Sequence, residues 1–577
     1  MWYETKPARV RAELDGITAL AANQAWLKRI NFRLDKVSKA LCVDIDLQVG
    51  ENLRLVTLAY PEGFPHTPPS IKPRGETVTW TGHQYGAGGE LCLEHRPDNW
   101  EPQITGVDMI QSVYKLLDSE AGKDEGGQPL VVESAHRSTV GRSMRIKGSR
   151  FVATASMLQQ IVICDKPARA LFRISIGKKS LVYMLHHVIQ PDGSKWIDPE
   201  LPPGFGECAT RKGFVLDLGV DYMRLMQIPK DDRTGAAAMR ESFIGPDAGP
   251  FNGNEIVLIT VCSFLFAYRL DPEDDKVIHM GVIDPEPGKR MLDNNTTLAI
   301  KKVAILGAGS MGSKVAESLA RAGVRKFVLM DEDVVLPGNM VRHTLDWRAV
   351  GHHKVRALEG KLNFLAPDID IDAWVFDLGG QNSVGLFDKM IAALQQCDLI
   401  VDATGSPNAF NYASVVAVDN LKPMAWARVF GGGYGGLIAR SRPGLEPAPP
   451  FARAAIDAWC ANPEFPKAPK ELTDYGATGE GGEPMIADDA DVSAIAAHFT
   501  RLIIDTLISP EKSVFASSAY MIGLREEWIF KAAFDTHPID LGAPHMPLLG
   551  NLLPAHEAAE VAAILARLKL AVAEEGE

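Results

Sequence analysis

Three glycines with the spacing of a nucleotide-binding turn lie near the middle of the chain. Gly307, Gly309 and Gly312 form G-x-G-x-x-G between a strand-like run, KVAIL, and a helix-like run, SMGSKVAESLARA. Glycines at these positions let the backbone turn sharply and approach a phosphate, and the following helix N-terminus offers free N–H groups and a positive dipole end. The spacing fits NAD, FAD or ATP equally, and also a turn with a packing role alone.

Polar and charged side chains after the loop favour a triphosphate. In the second strand-like run, FVLMDEDVV, the apolar part is followed by Asp331, with Asp333 two residues further on. An acidic residue about twenty positions past the loop suits a ribose hydroxyl pair. Asn339, Arg342 and Lys354 follow, and such cations can neutralise phosphate charge as pyrophosphate leaves. A hydride-transfer enzyme has no need of this group.

A carboxylate and a thiol complete the chemically informative residues. Asp402 ends the buried run CDLIV, and a carboxylate at the carboxyl end of a strand can hold Mg²⁺ beside phosphates. Cys92 lies in GGELCLEHRPDNWEP, with His83 and His95 near it in sequence. A thiol beside a Gly-rich loop and a polar turn is a candidate nucleophile, although a single cysteine is more often a small buried hydrophobe.

The elements that must position these residues fall into several domains. The chain has 577 residues, and single hydrophobic cores stop growing at roughly 250–300 residues. We predict an α+β domain over residues 1–140, a mixed α/β linker domain over 150–290, and a Rossmann-like α/β domain over 291–577. Strands alternate with helices from 298 to 545, which predicts βαβ units and a largely parallel sheet. Residues 554–577 have the pattern of an amphipathic helix.

Composition narrows the class of protein. A net charge of −13 argues against nucleic-acid or membrane-surface binding. No apolar run reaches the ~20 residues needed to span a bilayer, and the N-terminus has no signal-peptide core. The seven cysteines are scattered and form no CxxC pair. That usage suggests a cytoplasmic protein with neither a disulfide framework nor a structural zinc.

The order of motifs around the glycine loop resembles the adenylation domain of the ThiF and ubiquitin-activating (E1) family. G-x-G-x-x-G, D-x-D-x-V, Asn, x-x-Arg and a later Lys carry the resemblance, which covers about residues 298–402. It implies ATP and Mg²⁺ as ligands and a homodimer, with Arg290 as a candidate donor across the interface. By this resemblance Asp331 binds the ribose, Asn339, Arg342 and Lys354 contact phosphates, and Asp402 holds Mg²⁺.

The N-terminal region resembles the ubiquitin-conjugating (E2) fold over about residues 20–120. The matching features are Y-P followed by P-P, then His83, G-x-L-C-L around Cys92, and W-x-P before an apolar helix. The resemblance implies that Cys92 carries a ubiquitin-like protein as a thioester. The family's usual His-Pro-Asn is replaced by His83-Gln84-Tyr85, which leaves Tyr85, His83 or a loop amide as the oxyanion donor.

The domain order resembles the bacterial E1–E2 fusion proteins of antiphage systems, some of which conjugate a cGAS-like nucleotidyltransferase. It implies adenylation of the C-terminus of such a protein, or of a ubiquitin-like one, and transfer through Cys92 to a target amine. Gly481 or Gly482 stands where these fusions carry a relay cysteine. Either the relay residue is elsewhere, with Cys460 or less favourably Thr478 as the candidate, or the acyl adenylate reacts directly with Cys92, or an engineered substitution has removed the cysteine. An NAD-dependent oxidoreductase and a non-catalytic scaffold are the alternatives.

Overall fold

A computed structural model of the protein describes most of the chain and divides it into two compact units, Met1–Arg142 and Ser143–Glu577. The described residues are 1–75, 80–81, 83–85, 88–121, 140–144, 147–163, 167–190, 192–202, 209–228, 233–245, 249–251, 253–262, 264–285, 292–380, 382–469, 487–509, 511–545 and 559–567. The second unit contains two separate sheets. The predicted division into three domains stays a prediction, because the contacts separate only two units.

The first unit is an antiparallel sheet covered by helices. Its elements are α1 (Trp2–Thr5), α2 (Pro7–Asn23), β1 (Leu27–Leu34), β2 (Leu41–Val49), β3 (Asn52–Ala59), β4 (Ser70–Pro73) and α3 (Gly106–Ala121). The strands pair in the order β1-β2-β3-β4. Val43, Ile45 and Leu47 alternate along β2 and are fully buried, because every second side chain of a strand faces the same side of the sheet. Ile17 of α2 and Val113 of α3 are buried in the same apolar cluster.

A buried carboxylate fixes both ends of the long segment between β3 and α3. Glu13 Oε2 accepts hydrogen bonds from the Tyr60 hydroxyl at 2.6 Å and from the Gly106 N–H at 2.7 Å. A carboxylate at a helix N-terminus pairs an amide that has no partner within the helix. Burial and the neighbouring Glu13 raise the pKa of Tyr60, which keeps this hydroxyl a donor. The segment that carries Cys92 therefore starts and ends at fixed points.

The second unit begins with a mixed sheet. Its elements are α4 (Val140–Ser143, across the boundary), β5 (Ser149–Val152), α5 (Ala155–Ile163), β6 (Ala168–Ile176), β7 (Leu181–Ile189), β8 (Lys195–Ile197), β9 (Thr210–Asp217), α6 (Tyr222–Leu225), β10 (Arg233–Thr234), α7 (Ala236–Phe243), β11 (Glu255–Val261), β12 (Phe264–Asp271), β13 (Lys276–His279) and β14 (Gly281–Ile283). The strand order is β10-β13-β12-β11-β9-β6-β7-β5-β14, with β8 on β7. The helices α5 and α7 were not predicted, because short apolar runs do not distinguish helix from strand.

The eight-stranded sheet that follows holds the glycine turn. Its elements are β15 (Lys302–Leu306), α8 (Ser310–Ala322), β16 (Lys326–Met330), α9 (Lys354–Leu365), β17 (Asp370–Trp374), α10 (Val384–Gln395), β18 (Leu399–Asp402), α11 (Pro407–Asp419), β19 (Met424–Val429), β20 (Gly435–Ser441), α12 (Pro449–Cys460), α13 (Asp489–Ile508), β21 (Ala519–Gly523) and β22 (Thr536–Ile539). Short 3-10 helices span Asp293–Ile300, Pro337–Val341, Trp347–Ala349 and Gly431–Gly433. Residues 559–567 are helical and exposed.

This sheet is parallel only in its first half. Its order is β17-β16-β15-β18-β19-β20-β21-β22, and pairing is parallel from β17 to β19 and antiparallel from there to β22. The expectation of a largely parallel sheet is therefore right for the half with the glycine turn and wrong for the other. The parallel half has the Rossmann-like order, which confirms the multidomain α/β prediction for this region.

Two apolar layers explain why the parallel strands are continuous hydrophobic runs. Along β15, Ala304 and Leu306 face one cluster, while Val303 and Ile305 face the other. The first cluster includes residues of α10, α11 and α12, and the second includes residues of α8, α9 and α13. Strands covered by helices on both faces have no polar side. Their carboxyl ends, Leu306, Met330, Trp374 and Asp402, consequently meet at one edge. None of the described helices is both long and apolar enough to cross a membrane.

A buried ion pair secures the antiparallel half. Arg440 of β20 is fully buried and lies 2.7 Å from Oδ2 of Asp505 in α13. Its guanidinium also donates to hydroxyls of Thr506, Ser513 and Ser518. A buried cation needs such a complete set of partners, because it has lost its hydration.

Replacing Asp505 by Asn should therefore destabilise the second unit by about 3–5 kcal/mol, because the Arg440 cation would be left without its counter-charge. The shift of the urea denaturation midpoint, followed by tryptophan fluorescence, measures this. Glu527→Gln is the matched control, since it removes an exposed pair with Arg525 that should contribute less than about 1 kcal/mol. Equal shifts for the two variants would contradict a central role for the buried pair.

Candidate nucleotide site and acceptor cysteine

The glycine turn is shaped by contacts that exclude side chains at two of its three glycines. Gly307 has φ of 85°, and a Cβ there would lie 3.0 Å from backbone atoms of Ala403 and Thr404. A Cβ on Gly312 would lie 1.8 Å from the carbonyl oxygen of Gly307. Beside Gly309, by contrast, no atom lies within 4 Å of a Cβ position. The turn is thus closed against the protein on two sides and leaves space at the N-terminus of α8.

Asp331 connects the turn to the second strand. One carboxylate oxygen accepts the Ala308 N–H and the other accepts the Asp333 N–H, each at 2.8 Å. Burial raises the pKa of Asp331, and the nearby Lys354 opposes that effect. Each carboxylate oxygen can accept a further hydrogen bond, so the predicted contact with a ribose remains compatible with this geometry.

Two contacts bring the segment with Arg342 to the start of α8. The Ser310 hydroxyl donates to the Arg342 carbonyl at 2.7 Å, and His343 Nε2 lies 2.8 Å from the Ala308 carbonyl. His343 Nδ1 accepts the Leu345 N–H at 3.1 Å, so its proton is on Nε2. Burial lowers the pKa of His343, which favours this neutral form. The loop from Pro337 onward is therefore attached to the glycine turn.

Asn339 and Lys354 already have partners within the protein. Asn339 Oδ1 accepts the Leu336 N–H at 2.8 Å and leaves the amide NH₂ as its donor group. Lys354 is the first residue of α9, and its ammonium lies 2.7 Å from Asp333 Oδ2. An ammonium has three donors, so this pair leaves Lys354 able to contact an anion. Asp333 acts here as the partner of Lys354.

Glu317 of α8 holds the downstream part of the same loop. Its carboxylate accepts a hydrogen bond from the Thr344 hydroxyl and lies 2.7 Å from Lys361 Nζ of α9. Burial alone would raise the pKa of Glu317, but hydrogen bonds from Lys361, Thr344 and Arg321 outweigh it and lower the pKa to about 2. This carboxylate is therefore ionised at neutral pH and ties α8, α9 and the loop together.

Asp402 ends β18 at the same edge of the sheet. Its Oδ1 accepts the Thr404 N–H at 2.9 Å and the Thr404 hydroxyl at 2.6 Å. Burial raises the pKa of Asp402, while these bonds and Arg453 favour the ionised form. Arg453 is stacked over Phe410, 4.8 Å from its ring centroid. Among the described residues no three His, Cys, Asp or Glu side chains form a metal-binding group. One carboxylate still fits Mg²⁺, which typically uses one or two carboxylates with substrate phosphates.

Cys92 lies in the first unit, in a loop paired with the preceding polar segment. Its N–H donates to the His83 carbonyl at 2.6 Å, and its Sγ lies 3.5 Å from the Tyr85 hydroxyl. Leu91 and Leu93 on either side are buried, while Cys92 is half-buried. The alternation turns the thiol away from the core.

Cys460 is a weaker nucleophile in its present setting. It ends α12, is half-buried, and packs against the large apolar cluster of the parallel sheet. Burial raises its pKa to about 11, and only the thiolate attacks an acyl group. Four other positions named from the sequence lie outside the described residues. They are the interface candidate Arg290, the relay candidate Thr478, and Gly481 and Gly482 at the expected position of a relay cysteine.

Sequence reasoning missed His343 and Arg453. His343 follows Arg342 directly, but nothing in its spacing distinguishes it from a surface histidine. Arg453 is on α12, in a part of the chain without a recognisable motif. Both act through contacts with residues distant in sequence, which a motif search does not detect.

Comparison with known proteins gives a family match for part of the second unit. Residues 290–468 match the ThiF family model, and this segment is a ThiF/E1-like domain. Over 105 residues the chain is 39% identical to "ATP-dependent ubiquitin transferase-like protein Cap2" of Enterobacter hormaechei, covering 18% of this chain and 17% of that protein. Over 408 residues it is 35% identical to the uncharacterised protein y4qC of Sinorhizobium fredii, covering 60% and 64%. The chain thus matches less than two thirds of these relatives' lengths.

Among solved structures, that of Escherichia coli MccB with ATP aligns over 44% of this chain and 67% of its own. The identity is 18% and the TM-score is 0.32.

Gly312→Ala should destabilise the second unit by about 1–3 kcal/mol, because the added methyl group would push against the Gly307 carbonyl. Gly360→Ala, in the interior of α9 with nothing near its Cβ position, should be neutral or slightly stabilising. Thermal melting followed by circular dichroism distinguishes the two. If Gly312→Ala melts like the wild type, the closed form of the turn described above is incorrect.

Proposed function

We propose that the protein activates the C-terminal carboxylate of a polypeptide with ATP and transfers the acyl group through Cys92 to an amine. The observation that carries the first half is the attachment of the Arg342 segment to the glycine turn by Ser310 and His343. It brings a guanidinium-bearing segment to a helix N-terminus with open space at Gly309. A phosphate chain is the ligand that uses both features.

The proposed first half of the reaction is adenylation of the carboxylate. A carboxylate oxygen attacks the α-phosphorus of ATP, the bond to the β-phosphate breaks, and acyl-AMP and pyrophosphate form. In this proposal the Asn339 amide, Arg342 and Lys354 hold the phosphates and the departing pyrophosphate, while Asp331 binds the ribose. Mg²⁺ at Asp402 would neutralise phosphate charge when bound. Donors fixed before the reaction stabilise developing charge without reorganising.

The ThiF match favours this function over an NAD-dependent oxidoreductase. Adenylation gives Asn339, Arg342 and Lys354 a role in phosphate binding, whereas hydride transfer does not require these residues. A ubiquitin-like protein is proposed as substrate from the similarity to Cap2, which is described as ubiquitin transferase-like. The alternative, a nucleotidyltransferase C-terminus, is proposed from the resemblance of the domain order alone. A homodimer through the ThiF-like domain, a cytoplasmic location and a role in antiphage defence belong to the same proposal.

The transfer half rests on the first unit. Its helix, four-stranded antiparallel sheet, cysteine-bearing loop and closing helix support the proposal of an E2-like unit. The Cys92 thiolate would attack the acyl-AMP carbonyl, with AMP as the leaving group. A target amine would then attack the thioester and release the thiolate. Cys460, with its raised pKa, is a poorer candidate for a relay before Cys92.

Gly309→Ala tests the nucleotide site most directly. The position has an ordinary φ and open space, so the variant should keep the wild-type melting temperature. A bound phosphate chain would occupy that space. The affinity of the Gly309→Ala variant for Mg-ATP, measured by isothermal titration calorimetry, should therefore fall about tenfold or more. Gly385→Ala, at the start of α10 with equally open space, is the matched control. Unchanged ATP affinity in Gly309→Ala would place the nucleotide elsewhere.

Cys92→Ala tests the order of the two halves. ATP–pyrophosphate exchange with a ubiquitin-like protein or nucleotidyltransferase encoded beside this gene should persist. The adduct that reducing agents cleave should disappear from gels. Arg342→Ala should lose both, whereas Arg348→Ala, an exposed pair with Asp346, should lose neither. Wild-type protein that shows no exchange with such substrates would favour the non-catalytic scaffold instead.

A further inference from the structure

The loop around Cys92 offers a candidate for the missing oxyanion donor. The Tyr85 hydroxyl lies 3.5 Å from Cys92 Sγ, within the range of a hydrogen bond that involves sulfur. We propose that Tyr85 orients the Cys92 thiol and donates the hydrogen bond that stabilises the oxyanion during acyl transfer. This inference rests on the proposed acyl-carrier role of Cys92.

The backbone fixes Tyr85 relative to the cysteine. The Cys92 N–H donates to the His83 carbonyl at 2.6 Å, and the Tyr85 N–H donates to the Glu90 carbonyl at 2.8 Å. Gln84 and Leu91 form an antiparallel bridge between these two bonds. The Leu91 N–H donates to the Ile71 carbonyl of β4 at 2.9 Å, and Leu91 is buried. The two side chains therefore sit on a short ladder that is anchored to the sheet.

The other candidate donors are engaged differently. The Cys92 amide is committed to the His83 carbonyl at 2.6 Å, so it is not free to bind an oxyanion. His83 is held through its main chain, and its N–H donates to the Thr81 hydroxyl at 2.9 Å. The Tyr85 hydroxyl contacts the sulfur directly, and its ring is 53% exposed, which leaves room for an acyl group.

A cation lies beside the same pair. Arg96 is held by Asp98, with Nε 2.9 Å from Oδ1. The negative charge of Asp98, and more weakly that of an ionised Cys92 or Tyr85, raises the pKa of Arg96. The guanidinium is thus near enough to interact electrostatically with both. Such a cation can strengthen a neighbouring hydroxyl as a hydrogen-bond donor.

The chemistry uses the ability of a hydroxyl to donate and to accept. At rest the Cys92 S–H donates to the Tyr85 oxygen. When the thiol loses its proton to water, the Tyr85 O–H turns to donate to sulfur. As an amine attacks the thioester, the N–C bond forms and the carbonyl oxygen gains the negative charge, which Tyr85 stabilises. The C–S bond then breaks, the thiolate leaves, and the amine gives its proton to water.

The test charges the full-length protein chemically and so needs neither ATP nor the natural substrate. Phenyl thioacetate transfers its acetyl group to exposed thiols with release of thiophenol, and hydroxylamine then removes the acetyl group. Peptide mass spectrometry follows the acetyl group on Cys92 and, as an internal reference, on the exposed Cys262. Tyr85→Phe should slow discharge of Cys92 by roughly 10- to 100-fold and leave Cys262 unchanged.

Two further variants separate a donor from a packing role. Tyr3→Phe removes a hydroxyl that donates to the Lys39 carbonyl in the same unit and should discharge Cys92 at the wild-type rate. Tyr85→Gln restores a donor without the ring and should recover part of the rate lost in Tyr85→Phe. Discharge of Tyr85→Phe at the wild-type rate, or no recovery in Tyr85→Gln, overturns the inference. Absence of an ATP-dependent adduct on wild-type Cys92 would instead overturn the proposed function alone.

Discussion

The pair of hydrogen bonds accepted by the Asp331 carboxylate is the interaction on which the glycine-turn edge of the sheet depends. The carboxylate accepts one amide from the glycine turn after β15 and one from the chain after β16. Parallel pairing brings the ends of these strands together, but it leaves the connecting loops with amides that the sheet does not pair. Asp331 pairs two of them at once, and its hydrogen bond to the Ala308 amide is partly shielded from water. The position of the Arg342 segment follows, because that segment is attached to the turn through Ala308 and Ser310.

The site's outline was accessible from sequence because it depends on local backbone chemistry. Gly307 and Gly312 are required by close approaches, and Asp331 follows a strand at the expected distance. The contacts of Asn339, Asp333 and Lys354 could be predicted only in part from the sequence. Their internal hydrogen bonds depend on how the loop folds back, and spacing does not record that. His343 was missed for the same reason.

The fold shows a similar division. Strands buried on both faces and helices with an apolar face have clear patterns, so β15, α8, β16 and β18 lie where the sequence predicts them. The strand direction in the antiparallel half cannot be predicted from the sequence, because a buried strand has the same composition in either orientation. There the deciding contact is long-range: Arg440 on β20 meets Asp505 on α13. In the first unit, the sequence limits the candidate oxyanion donors to Tyr85, His83 or a loop amide. The contact between Tyr85 and the Cys92 sulfur depends on the backbone hydrogen bonds between residues 83 and 92, which the sequence does not reveal.

The ion pair between Lys354 and Asp333 has a consequence for how an anion would enter. The Lys354 side chain is only 12% exposed, whereas that of Asp333 is 64% exposed. An incoming phosphate would compete with a carboxylate that already faces water, so the displaced group would be rehydrated at little cost. Asp333 thereby serves as a resting counter-ion. It holds a shielded ammonium in place at the start of α9 until an anion replaces it.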